Sequence, residues 1–310
     1  MKAHALLILL VLLIAGCNNL NDLRPIDPYP EIPEATVKTV KDKFPKGEEL
    51  VFKPVLADKI WEVKLKSDAD RYTSLVDYGK MWETFKVSPN GIPSALAESL
   101  AKTAFKDGTL SAHSTAYFAT TTSNKLIYNY KGENYSFEWT GLTSNSNSSA
   151  TFDRFVYRIT TYEIGDLPAA ARDTIQSRSG MTFVSGSIWV GLDETKRYYV
   201  VANQKNVDRT DRISMIFDAS GKLQWSGTDN FKTGAPDSSW QLEIVPAEIE
   251  QYVAGAPELA GSQYELKRIH NVKGRLSYYF VLRVDSVSWC ELYFDQNFNM
   301  LHKKYSVRLN

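Results

Sequence analysis

The chain has 310 residues, 43% hydrophobic and 12% aromatic, enough for one large or two ordinary domains. Its 36 basic side chains balance 36 acidic ones, so it lacks the basic surplus of a nucleic-acid binder or a polybasic lipid attachment. Two cysteines exclude a disulfide scaffold.

Lys2 and His4 precede an apolar run over residues 5–15, too short to span a bilayer as a helix. The run closes on LLIAGC, where Leu13, Ala15, Gly16 and Cys17 resemble the lipobox of bacterial lipoproteins. The resemblance implies removal of residues 1–16 as a signal peptide, a diacylglyceryl group on the Cys17 thiol, and an acylated new amino terminus. Several acyl chains give stable membrane anchoring, because each buried CH₂ contributes about 0.8 kcal/mol. Residues 17–32 follow as a proline-rich tether: Pro25, Pro28 and Pro30 oppose helix and favour extended polyproline II. Asn18 after the cysteine resembles outer-membrane sorting, and no dense acidic run suggests surface export. The expectation is an outer-membrane lipoprotein facing the periplasm.

Apolar–proline pairs then recur at Pro33, Pro93, Pro168 and Pro246. Proline suits the first helical position, where its missing N–H costs nothing. Apolar residues follow at helical spacing in Ile92, Leu96 and Leu100, in Leu167, Ala171 and Ile175, and in Val245, Ile249 and Val253. The first copy, Ile32, Thr36 and Val40, is extended by Val37 and Phe44. Four short amphipathic helices are predicted.

Alternating segments follow each helix. Trp61, Val63 and Leu65 share one face, as do Tyr135, Phe137 and Trp139, and then Leu276, Tyr278, Phe280, Leu282 and Val284. This period of two predicts half-buried antiparallel strands. Polar turns at Asp77, Asn129, Asp218 and Asp295 are predicted to close each copy, with Gly79, Gly132, Gly221 and Asn299 supplying positive φ. The chain therefore reads as a fourfold helix-then-strands unit, too small to close a core alone. Pairing the units predicts an α+β fold with two tandem domains, residues 33–165 and 166–310. The polar run over residues 141–153 reads as a long exposed loop within the first, with a linker as the alternative. Residues 226–240 read as an irregular segment joining the third and fourth units.

A lipobox followed by tandem helix-plus-sheet units, each with a proline-led helix and a YDxxG-like closing hairpin, resembles the PepSY-like family. Its fold is similar to that of the β-lactamase inhibitor proteins. The resemblance implies helices on one face of an antiparallel sheet and an open opposite face available for binding another protein.

Catalytic signatures are sparse. His113, His270 and His302 stand far apart without ligand-spaced neighbours, and HExxH, CxxC and EF-hand patterns are absent, so neither a metal nor a cofactor is expected. Cys290 shares a strand face with Leu292 and Phe294 and reads as a buried small hydrophobe. SLAK at residues 99–102 and KTG at residues 232–234 match two motifs of penicillin-recognising serine enzymes. SDN is missing, however, and KTG falls in a segment broken by glycine and proline. A non-catalytic module binding an envelope protein is expected. Trp82, Trp139 and Trp225 are its candidate anchors, with Asp218 and Asp295 as turn formers or rim contacts. Sugar stacking on the same rings makes a glycan-binding lipoprotein the alternative, with NVDRTDR at residues 206–212 as a polar accompaniment. An envelope hydrolase whose site escapes motif reading is the remaining alternative.

Overall fold

The computed structural model describes residue 29 and residues 31–88, 94–117, 123–140, 148–206, 209–229 and 237–309. Cys17, the signal peptide, Pro93, residues 141–147 and residues 232–234 lie outside the described residues. Strands make up 57% of the structure and helices 15%. The predicted α+β class with helices packed on a sheet face is therefore corrected to a mostly antiparallel β fold with two sheets.

The reason lies in segments whose composition suggested loops. Ser148–Asp153 is a strand within the run expected as an exposed loop, and Leu223–Thr228 and Asp237–Gln241 enter the expected irregular segment. Ser, Thr and Asn pair well enough in a strand when both neighbours supply ladder hydrogen bonds, because β-propensity depends on context.

The residues form two compact units, one within Met1–Asp68 and Leu75–Trp82, the other within Ala69–Ser74 and Glu83–Asn310. The first contains α1 (Glu34–Lys43), β1 (Gly47–Leu56) and β2 (Ile60–Ser67). Here β1 and β2 pair antiparallel, with Phe52 opposite Val63. The alternation of β2 buries Trp61, Val63 and Leu65. Strands β3 (Asp70–Val76) and β4 (Met81–Val87) are divided between the units.

The second unit continues with α2 (Ser94–Leu100), β5 (Thr109–Ala116), β6 (Ser123–Tyr130), β7 (Glu133–Thr140), β8 (Ser148–Asp153) and β9 (Phe155–Thr161). Then come α3 (Ala169–Gln176), β10 (Met181–Gly191), β11 (Lys196–Lys205), β12 (Thr210–Phe217) and β13 (Leu223–Thr228). It ends with β14 (Asp237–Gln241), α4 (Ala247–Gly255), β15 (Gln263–Val272), β16 (Arg275–Arg283), β17 (Ser288–Phe294) and β18 (Met300–Leu309). Within this unit one sheet runs β5-β6-β7-β8-β18-β17-β16-β15-β14 and the other β13-β12-β11-β10-β9. The final strand closes on β8, with Tyr305 opposite Phe152 and Val307 opposite Ala150. Residues on both sides of 165/166 belong to this one unit.

Alternation explains how the larger sheet is buried on both faces. Tyr135, Phe137, Phe280, Leu282, Leu292 and Phe294 point to one side, into a core that also takes Leu96, Leu100 and Ile249. Full burial of such a side chain contributes about 1.5–3 kcal/mol. Tyr279, Tyr293 and Leu301 instead pack against Phe155, Trp189, Ile216 and Trp225 of the smaller sheet. Polar bonds fasten the two layers: Trp225 Nε1 donates to the Tyr278 carbonyl at 3.2 Å and Arg275 Nη2 to the Gln224 carbonyl at 3.1 Å. Ser277 Oγ donates to the Ser226 carbonyl. Here the face expected to be open carries a second sheet.

Local chemistry sets the helix starts and the turns. Pro33, Pro168 and Pro246 stand as N-caps with ψ of 133°, 147° and 141°, one position ahead of the predicted first helical residue. Lys131 (φ 51°) and Gly132 (φ 82°) both take the left-handed region between β6 and β7, as a two-residue hairpin with right-handed strand twist requires. Asp218 Oδ1 accepts the Ser220 and Lys222 N–H groups, and Asp295 Oδ1 those of Asn297 and Asn299. Gly221 has φ 85°, and a Cβ there would sit 2.9 Å from Pro168 Cβ, so both conformation and space call for glycine. In the last turn Phe298 (φ 63°) takes the left-handed position expected for Asn299.

Candidate functional site

The sequence candidates separate by exposure. Trp82 opens β4 and is 51% exposed, whereas Trp139 on β7 and Trp225 on β13 are 6% and 5% exposed. Trp139 joins the aromatic core beside Phe137 and Phe152. Trp225 forms part of the contact between the sheets. Asp218 and Asp295 are committed to their turns, Asp218 Oδ2 taking Gln224 Nε2 at 2.7 Å and Asp295 Oδ2 taking Asn299 Nδ2 at 3.0 Å.

Trp82 is exposed but fixed. Asp77 builds the β3–β4 turn by accepting the N–H groups of Gly79 and Lys80 on Oδ1, at 2.9 and 2.7 Å. Its Oδ2 then takes the Trp82 indole N–H at 2.8 Å. The Lys80 ammonium lies 4.2 Å from the centroid of the indole, an exposed cation–π contact of about 0.5–1 kcal/mol. Tyr78 in the same turn is 49% exposed, donates its hydroxyl to the Asp58 carbonyl, and meets Trp61 edge-on at 5.8 Å. Two aromatic rings thus project from one turn with their orientations set by hydrogen bonds.

The second unit carries a cleft of about 790 Å³. Arg154 stands just before β9, which Phe155 opens, Lys196 and Arg197 start β11, and the turns at Asp193 and Asp218 complete the wall, with His302 of β18 beneath. His302 is 2% exposed and surrounded by the rings of Trp189, Phe155 and Tyr293 at 5.2, 5.4 and 5.5 Å. Its Nε2 lies 3.7 Å from Asp153 Oδ2. Burial, reinforced by Arg158 and Arg197, holds its pKa well below the imidazole range. The ring is neutral, and no ion pair forms. Burial pushes the Asp153 carboxyl upward while its ion pair with Arg158 opposes that shift.

A smaller recess of about 210 Å³ is lined by Tyr199, Trp225, Tyr279, Tyr293, Arg268 and His270. Thr228 N–H donates to His270 Nδ1 at 3.3 Å, which leaves the ring proton on Nε2. Burial pushes the pKa of this imidazole down to about 3. Cys290 is fully buried, with its thiol pKa raised by desolvation. His113 Nε2 lies 2.9 Å from Asn124 Oδ1. Among the described residues no group of three or more His, Cys, Asp or Glu side chains could hold a metal ion, and no helix is long and apolar enough to cross a membrane. In the 206–212 stretch, Asp211 is taken up by Arg209 at 2.8 Å and Asn206 at 2.6 Å.

Sequence reading missed the cleft because Arg154, just before β9, lies more than forty positions from Lys196 and Arg197 of β11, and only β10, which pairs with both strands, brings them together. Fold and geometry define a mostly antiparallel β protein with a rigid aromatic turn and a charged cleft. No protein-family model matches the chain, and no curated protein does.

Proposed function

We propose that this chain is a lipid-anchored envelope lipoprotein that binds another protein without catalysing a reaction, and that the turn at residues 77–82 makes the contact. Trp82 carries the reading: it is half exposed, held by Asp77 and flanked by exposed Tyr78. Aromatic anchors whose rotamers are already fixed lose little entropy on binding, which is why Trp and Tyr dominate interface hot spots. The non-catalytic part rests on chemistry: the Cys290 thiol is buried and kept protonated, and neither buried histidine is tuned to accept a proton near neutral pH. Acylation of Cys17 supplies the anchor and the PepSY-like resemblance the precedent for binding; both belong to this proposal. In-cell chemical crosslinking of the full lipoprotein, read by mass spectrometry, tests it. A dominant protein adduct that falls at least tenfold in Trp82→Ala, with an unchanged melting temperature, is expected. Equal adduct yield from both proteins overturns the assignment to this turn.

The aromatic recess favours a second reading, glycan binding. Tyr199, Tyr279 and Tyr293 are half-buried around Trp225, with Arg268 alongside, a combination suited to stacking on one sugar ring. Saturable binding of neutral oligosaccharides, lost in Tyr293→Ala at retained fold, would favour it over a protein partner.

A further inference from the structure

The tyrosine hydroxyls around the aromatic recess of the larger unit are already engaged. Tyr199 donates to Ser214 Oγ at 2.9 Å, and Tyr279 and Tyr293 both donate to Glu291 Oε2, at 3.1 and 3.3 Å. What these three half-buried side chains leave for a ligand is ring surface. Trp225 adds a fourth ring, and a Cβ at Gly227 would come within 2.3 Å of it, so only glycine leaves the indole its place. Arg268 on the same wall has an interaction of its own. His270 differs. It is 4% exposed, and with Nδ1 accepting the Thr228 N–H, its proton-bearing Nε2 has no hydrogen-bond partner among the described residues. Unlike His302 Nδ1, that nitrogen is not sealed from solvent, and the recess is the space its ring borders. A donor on a buried side chain, unpartnered at the wall of a recess, is an incomplete hydrogen bond that a ligand acceptor completes.

We infer that this recess holds the acetamido group of an N-acetylhexosamine, its carbonyl accepting the His270 Nε2–H and its methyl lying among the tyrosine rings. The inference rests on the glycan reading of the recess and specifies the sugar. A carbonyl oxygen only accepts, so it meets a lone donor without bringing a second proton into a space walled by rings, as a sugar hydroxyl would. The trans amide turns its own N–H away from the carbonyl, and exposed Asp229 at the recess is an acceptor for it. With its pKa near 3 the imidazole stays neutral at physiological pH, which matches a neutral carbonyl better than an anion. The recess, about 210 Å³, is smaller than the roughly 300 Å³ at which drug-sized sites begin, so it takes one sugar ring with its substituent. This site is separate from the Trp82 turn and does not depend on it.

The test is saturation-transfer NMR of the full-length protein in deuterated detergent, with chitobiose and cellobiose as probes. The two disaccharides share linkage and ring, and chitobiose carries acetamido groups where cellobiose carries hydroxyls. At least tenfold tighter binding of chitobiose is expected, with the strongest transfer to an acetyl methyl and with binding lost in Tyr293→Ala. In His270→Phe the affinity for chitobiose should fall to that for cellobiose, and thermal melts check that both variants fold. The disaccharide pair keeps the test decisive even if neither variant folds. Equal binding of the two sugars overturns the acetamido assignment and leaves the glycan reading standing. No saturable binding of either sugar overturns both. A chitobiose preference that persists in folded His270→Phe overturns the role of the Nε2–H, and one that persists in folded Tyr293→Ala overturns the recess as the site.

Discussion

Trp225 Nε1 donates to the main-chain carbonyl of Tyr278 at 3.2 Å, across the contact between the two sheets of the larger unit. The indole also meets His270 and Tyr293 edge-on, at 5.2 and 5.4 Å. One side chain therefore supplies apolar area, ring contacts and a buried polar bond between layers.

Trp225→Phe keeps much of the area but leaves the Tyr278 carbonyl without this donor, at an expected cost of about 1–3 kcal/mol. Trp225→Ala adds a cavity and should cost about 3–5 kcal/mol. Urea midpoints of the three proteins check the order. Equal midpoints for wild type and Trp225→Ala would mean that the indole is not part of the inter-sheet core.

Lys303 is a buried cation, its side chain 4% exposed, with Glu133 and Glu258 each 3.0 Å from Nζ. Burial works against its charge, yet Tyr135, Tyr252 and the two carboxylates outweigh it and hold the ammonium above the usual lysine range. Lys303→Met strands those carboxylates and should destabilise by about 3–5 kcal/mol. Adding Glu133→Gln and Glu258→Gln should restore part of the loss, because the uncompensated charges then disappear. Denaturant melts of the single and triple variants measure both effects.

His270 has its pKa pushed down to about 3 by burial, and that of His302 is also held low. An unfolded chain titrates these rings near 6.5, so below that pH the unfolded state binds protons that the folded state refuses. Stability should therefore rise with pH across this window and fall on acidification, by about 1.4 kcal/mol per pH unit for each histidine once well below 6.5. Urea midpoints over this range should flatten in His270→Gln by the share of one proton; an unchanged slope would show that His270 titrates freely in the folded protein.

Much of the β content was legible because alternation is local. Trp61, Val63 and Leu65, and equally Tyr135, Phe137 and Trp139, fall on buried faces as their period requires. The turns at Asp77, Asp218 and Asp295 follow from side chains that bond their own backbone. The fold class did not follow. Ser148–Asp153 is a strand because β7 and β18 flank it, and β18 arrives from about 150 positions away. No composition window contains that partner. The same distance hides Lys303 and His302, whose place in a polar stretch suggests exposure until Glu133, Glu258 and the rings of the smaller sheet close over them. Trp82, Trp139 and Trp225 look alike in sequence, each at or near a closing turn. Sheet packing alone places the latter two inside and leaves Trp82 at the surface.

Trp82→Ala should accordingly leave stability within about 0.5 kcal/mol of wild type, as for exposed positions generally, or slightly below it through loss of the Asp77 bond. Thermal melts beside Trp139→Ala and Trp225→Ala give the comparison. A large fall for Trp82→Ala would make the indole a structural part of the turn.

The most direct test of protein recognition at this turn is in-cell photo-crosslinking of the full lipoprotein with a photoreactive residue at position 82. The same residue at position 244, where Ile244 is 82% exposed, serves as the surface control. One dominant protein adduct from position 82 and none of that mass from position 244 is the expected result. Only lipid and background from position 82, or the same adducts from both positions, would contradict recognition through this turn.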